Sequence, residues 1–239
     1  DSAGYILFID GTPSRLVALP FDAQTLKVTG AAITVAEDAE HGWTNGLLPV
    51  ATAPDGSLFY LNSRYRYSRL TWFDRSGRQG ESLGETAIYF HPALSADGRS
   101  LVIEKADRNS LVGEVSSVDL DRDTFSRVTS DPGFESTPVW SPDGRSIVFS
   151  SDRDGNSELY TVPAIGGTAQ KLFSAPDSLE YATDWSRDGR YLLFMAANQK
   201  GVGLWALPMP SGGEPIAIQP SNYTVEIGMF SPDSKWVAY

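Results

Sequence analysis

The chain contains no cysteine, so disulfides, thiolate metal sites and cysteine nucleophiles are excluded. The compartment stays open, because proteins of either redox environment can manage without the residue. Histidine is scarce too: only His41 and His91 occur, and the zinc-protease pattern H-E-x-x-H is absent. Basic residues are outnumbered, 19 against 30 acidic, for a net charge of −11. A nucleic-acid binder needs a basic stripe, so that class is set aside. No apolar run approaches the ~18–20 residues of a membrane-spanning helix. No basic segment followed by an apolar one opens the chain as a signal peptide would. It begins at Asp1 without methionine and reads as a processed or excised piece of something longer. G-x-S-x-G and Walker patterns are also missing. Gly201-Val-Gly203-Leu-Trp-Ala206 imitates a dinucleotide fingerprint, but a hairpin precedes it and a strand follows, so it carries no such chemistry.

What is present is one phrase in five versions. APDGSLFY occupies 53–60, SADGRSLVI 95–103, WSPDGRSIVF 140–149, WSRDGRYLLF 185–194 and FSPDSKWVAY 230–239. The turn aspartates are Asp55, Asp97, Asp143, Asp188 and Asp233, spaced by 42, 46, 45 and 45 residues. A period of about 40–45 with one strand–turn–strand per unit predicts an all-β β-propeller of four-stranded antiparallel blades. In the clearest unit, Pro142-Asp143-Gly144 makes a tight turn, proline presetting φ and glycine accepting a positive one. The apolar run at 146–150 suits a sheet buried on both faces. Strands are expected at 137–140, 146–150, 159–162 and 169–173, with 87–89 and 176–181 as inter-blade linkers. The predicted organisation is one domain: a partial blade 1–40, blades 46–85, 88–130, 134–174 and 180–219, and a partial blade 224–239. Five blades result if the termini pair; otherwise the chain is an arc of a propeller of six or more blades, which is the preferred reading.

Residues 140–162, WSPDGRSIVFSSDRDGNSELYTV, closely resemble the repeat of the TolB-like, WD-repeat-like propeller family. Ala96 and Arg187 replace the turn proline, and Ser234 replaces the turn glycine. The succession YILFID, RLTWFDRSGRQGESLG and DWSRDGRYLLF further resembles propellers that follow bacterial serine/threonine kinase domains, although no kinase signature is present here. The resemblance implies a non-catalytic binding module, the sensing or docking part of a larger bacterial protein. Its setting would be extracytoplasmic and its partner a protein, peptide or small envelope molecule. The alternatives are an accessory gating propeller of a prolyl-oligopeptidase-like peptidase and a propeller lyase or glycosidase. The last would need paired carboxylates.

Propellers usually bind ligands at the mouth of the central channel. Phe90, His91, Phe134, Glu135, Glu180, Tyr181 and Glu226, with Tyr223 beside them, stand at or shortly before innermost strands and are the candidate mouth residues. Three carboxylates there would receive a cationic peptide end or a metal. The competing readings are acidic loop decoration for the glutamates, packing between blades for the aromatics, and a loop hydrogen bond for His91. Asp152, Asp154, Asn156 and Glu158 alternate like a calcium loop but lack its closing glutamate, and a polar hairpin explains them as well. Asp119, Asp121 and Asp123 form a weaker version. No other cofactor is expected. Trp140 and Trp185 share a repeat position with Leu94 and Phe230 and read as blade-to-blade core.

Overall fold

Short apolar runs between turn signals are too brief for helices and pair as strands. The computed structural model describes residues 4–10, 15–37, 50–52, 57–60, 68–106, 112–210, 213–220, 225 and 227–239, and every regular element among them is a strand. The first sheet contains β1 (Gly4–Asp10), β2 (Arg15–Asp22), β3 (Lys27–Val28) and β4 (Ile33–Glu37), the other three all pairing with β2. A seven-stranded sheet follows, formed in sequence by β5 (Val50–Thr52), β6 (Leu58–Tyr60), β7 (Ser68–Phe73), β8 (Gln79–Leu94), β9 (Ser100–Ala106), β10 (Gly113–Asp119) and β11 (Thr124–Arg127). The next blade is β12 (Glu135–Trp140), β13 (Ser146–Ser151), β14 (Glu158–Pro163) and β15 (Gln170–Phe173). After it come β16 (Leu179–Trp185), β17 (Tyr191–Asn198), β18 (Gly201–Pro208) and β19 (Ile216–Gln219). β20 (Met229–Phe230) and β21 (Val237–Ala238) make a final two-stranded sheet.

The expected four complete blades lie between two incomplete ones, but the second and third are fused. β8 is the outer strand of one and the innermost strand of the next. Ala87 pairs with Ser68 on one side, and Ile88 pairs with Ala106 on the other. The expected linker at 87–89 is therefore strand, and the reason is apolar: Ala87, Ile88 and Tyr89 are each 3% exposed or less. The innermost strands β5, β8, β12, β16 and β20 touch in that order, which sets the blades around a common axis. Among the described residues no pairing joins β1 to β20 or β21, so closure through paired termini is not formed.

The core is divided among the blade interfaces. Val102, Val115 and Val128 of the third blade meet Ile147, Phe149, Tyr160 and Val162 of the fourth. Val139, Val148 and Leu159 meet Ala182, Leu192, Phe194 and Leu207 of the fifth. Neighbours on β13 thus serve opposite interfaces, which is why its run is apolar without alternation. Trp140 and Trp185 pack against these two clusters as expected.

The repeated S-x-D-G phrase is a closed set of hydrogen bonds. Ser95, Ser141, Ser186 and Ser231 donate from Oγ to Oδ1 of Asp97, Asp143, Asp188 and Asp233 at 2.6, 2.7, 2.8 and 2.6 Å. Each aspartate also accepts the amide two residues on, and each serine Oγ the amide five residues on. The serine hydroxyls hold all four carboxyls below their ordinary pKa. These carboxylates build turns.

Candidate functional site

The innermost strands begin earlier than their apolar runs suggest. β12 opens at Glu135 and β16 at Leu179, so Glu135, Glu180 and Tyr181 lie in strands rather than in preceding loops. A bulge permits the extension: one extra residue separates Phe90 from Ala93, Ser136 from Val139 and Ala182 from Asp184. His91 and Thr137, each before a proline, take a positive φ of 49° at the bulge. Their side chains turn onto the second strand of the blade. His91 Nδ1 lies 2.7 Å from Oε2 of Glu104, itself 1% exposed, and Thr137 Oγ1 lies 2.8 Å from Ser150 Oγ.

Glu135 and Glu180 each stand eight residues before the turn aspartate of their blade, where the third blade has Tyr89 and the last has Val225. All four are buried, at 1%, 0%, 2% and 6% exposure. The two glutamates are thus acids at an interior position. Glu135 has a partner: Arg153 Nη2 donates to Oε1 at 2.6 Å. Arg153 also donates to Asp131 at 2.7 Å and Ser151 at 3.0 Å, and its guanidinium lies over the Tyr160 ring. Burial still pushes the Glu135 carboxyl up, and Oε2 has no hydrogen bond. Glu180 has no such cation, and neither of its oxygens reaches hydrogen-bonding geometry. Burial pushes it up to about 7; the nearby Ser178 hydroxyl and Ala175 amide offset this only in part. Ser178 Oγ and Thr183 Oγ1 are likewise buried without a hydrogen bond. Asp184, four residues after Glu180, is pushed by burial up to about 6 and accepts the Phe230 amide at 2.7 Å, tying β16 to β20.

Phe134 is 41% exposed, and Phe90, His91 and Tyr181 are half-buried at the same end of adjacent strands. Burial raises the Tyr181 phenol. Glu226, Tyr223 and His41 lie outside the described residues. The acidic hairpin residues offered as calcium ligands are engaged by protein groups. Asp154 and Glu158 both turn to Lys171 on β15, and Tyr160 donates to both, while Asp152 accepts the Phe134 amide at 2.7 Å. Asp154 and Glu158 thus converge on one ammonium while Asp152 turns to a backbone amide, and no metal-ready group of three acids or histidines occurs among the described residues. Asp119 pairs with Arg122.

Sequence reasoning missed Glu104, Arg153 and Asp184. The last had a signal: its repeat position carries Ala93, Val139 and Met229 elsewhere, so an acid there is out of pattern. A cleft of about 510 Å³ lies at the opposite end of the third and fourth blades, among their turns. Asp97, Asp143 and Asp119 on its wall are already engaged by Ser95, Ser141 and Arg122. The unsatisfied polar groups are at the strand starts instead, and that end is the better candidate.

A family profile described as TolB beta propeller domain matches residues 52–239. An uncharacterized peptidase of Bacillus subtilis is 40% identical over 68 residues, 28% of this chain and 10% of the relative. A Tricorn protease homolog of Streptomyces coelicolor is 32% identical over 95 residues, 39% of this chain and 9% of the relative. The matched segments are small fractions of both. The crystal structure of TolB from Acinetobacter baumannii superposes with a TM-score of 0.77 at 21% identity, covering 98% of this chain and 56% of that one. This last likeness is one of fold.

Proposed function

The chain belongs to the TolB β-propeller domain family, and on that premise we propose that it is the recognition module of a larger bacterial protein, binding a protein or peptide at the starts of its innermost strands. The observation that carries the reading is the arrangement at that end. Exposed Phe134 and half-buried Phe90, His91 and Tyr181 stand at the same end of the innermost strands as two interior acids, Glu135 and Glu180, that retain acceptor oxygens without a hydrogen bond. Aromatic anchors beside desolvated polar groups are the composition of a binding hot spot. The opposite end spends its carboxylates on turns. Catalysis, where the larger protein performs any, belongs on this reading to another domain, and the setting is extracytoplasmic.

The test is a screen of peptides and envelope proteins for ligand-dependent melting shifts, repeated with Phe134→Ala and Tyr181→Ala. Binding that weakens about tenfold or more in both variants supports the site. Binding indifferent to both removes it. The peptidase relatives favour a second reading, an accessory propeller gating a separate hydrolase domain. A nucleophile elbow encoded downstream in the gene would favour that reading; a kinase domain upstream would favour the sensing role.

A further inference from the structure

The fourth blade contains its own answer to a buried glutamate, and the fifth does not. Arg153 stands ten residues after Asp143; the residue ten after Asp188 is Asn198. Asn198 is exposed, and its side chain accepts the Lys200 amide at 2.8 Å. The charge acting on Glu180 is that of Glu158, which has the same sign. Of the five buried side-chain atoms without a hydrogen bond among the described residues, four belong to Ser178, Glu180 and Thr183. A native interior satisfies such groups with protein, water or a ligand, and a carboxyl with both oxygens short of a hydrogen bond calls for N–H donors and, once ionised, a positive charge. Leu179, the first residue of β16, is 39% exposed, so the strand start reaches the surface, while the Glu180 side chain points to the interior, 0% exposed.

We propose that Glu180, with Ser178 and Thr183, is the docking point for a cationic N–H donor of a peptide partner, an arginine guanidinium or an ammonium, supplied from outside as Arg153 is supplied from inside for Glu135. The inference rests on the recognition reading and names the chemistry the partner must carry. Burial favours the protonated carboxyl while the site is empty and a cation favours the ionised one, so binding is coupled to proton release.

The experiment uses the full chain with ¹³C-labelled glutamate carboxyls, the Glu180 resonance being assigned through Glu180→Gln. Acetyl-arginine amide and acetyl-lysine amide are the probes, acetyl-citrulline amide the neutral isostere and potassium chloride the inorganic arm. The expected result is that a cationic probe lowers the Glu180 titration midpoint by roughly one unit or more, citrulline does not, and the variant loses the response while remaining folded, with a melting temperature at pH 5 like that of wild type. Equal effects of arginine and citrulline, no effect of any cation, or a full effect of potassium alone would each overturn the proposal. Partner peptides that bind wild type and Glu180→Gln alike also overturn it, while leaving the recognition reading intact. A probe that shifts Glu180 in a chain that binds no partner would sink the recognition reading alone.

Discussion

At the residue scale, Arg153 decides whether Glu135 is tolerable. A carboxylate 1% exposed must be paired or neutral, and Arg153, its side chain 12% exposed, supplies the pairing. Arg153→Met keeps the packing over Tyr160 but strands the charge. The expected loss is about 3–5 kcal/mol at pH 8, read by urea unfolding. Below the raised Glu135 titration the loss should shrink, because a protonated Glu135 no longer needs the cation. A loss independent of pH would assign Arg153 to packing alone. None of this was legible in the sequence. Glu135 and Glu180 look alike there, and their difference depends on a guanidinium eighteen residues away in one blade and missing from the other. Asp152, Asp154, Asn156 and Glu158 were misleading for the opposite reason: their spacing is ligand-like, but Lys171, on another strand, occupies the point on which Asp154 and Glu158 converge.

At the element scale, β8 is where reading and structure part. The repeat period located the third, fourth and fifth blades because the serine–aspartate turn is local: its bonds span five residues and need no tertiary context. The join at 87–89 is not local. Its identity as strand depends on Ser68 on one flank and Ala106 on the other, which no window of sequence contains. Gly84 marks the bend before the join. It takes φ 59°, its amide donates to Asp123 at 3.1 Å, and a Cβ there would sit 2.4 Å from the Phe125 ring. Gly84→Ala should cost about 1–3 kcal/mol from overpacking and backbone strain. Phe125→Ala in the same chain should recover part of that loss in thermal melts. If the alanine is neutral, the ring does not hold the bend.

At the scale of the whole molecule, two sets of acids pull stability in opposite directions with pH. The turn aspartates have depressed pKa values, so what they contribute is present above the unfolded value near 4 and lost as pH falls through their folded values. Glu180 and Asp184 are raised, to about 7 and about 6. The folded state holds those protons more tightly, so stability declines as pH rises from the unfolded values through 6 and 7. The net charge of −11 at pH 7 adds self-repulsion in the same direction. Melting temperature is therefore expected to peak between about pH 4 and 6 and to fall toward pH 8. Glu180→Gln should flatten the alkaline side, while a profile peaking above pH 7 in wild type would contradict the burial of both groups.

One uninterrupted strand serving two blades also governs how the propeller can move. The later blades meet instead through side chains and isolated hydrogen bonds, such as the Glu180 amide to the Ser157 carbonyl at 2.7 Å. Across β8 the second and third blades share a backbone, so they must tilt as a single plate. Any breathing of the ring that admits or releases a partner is thereby directed to the later seams, where Glu180 and Asp184 stand.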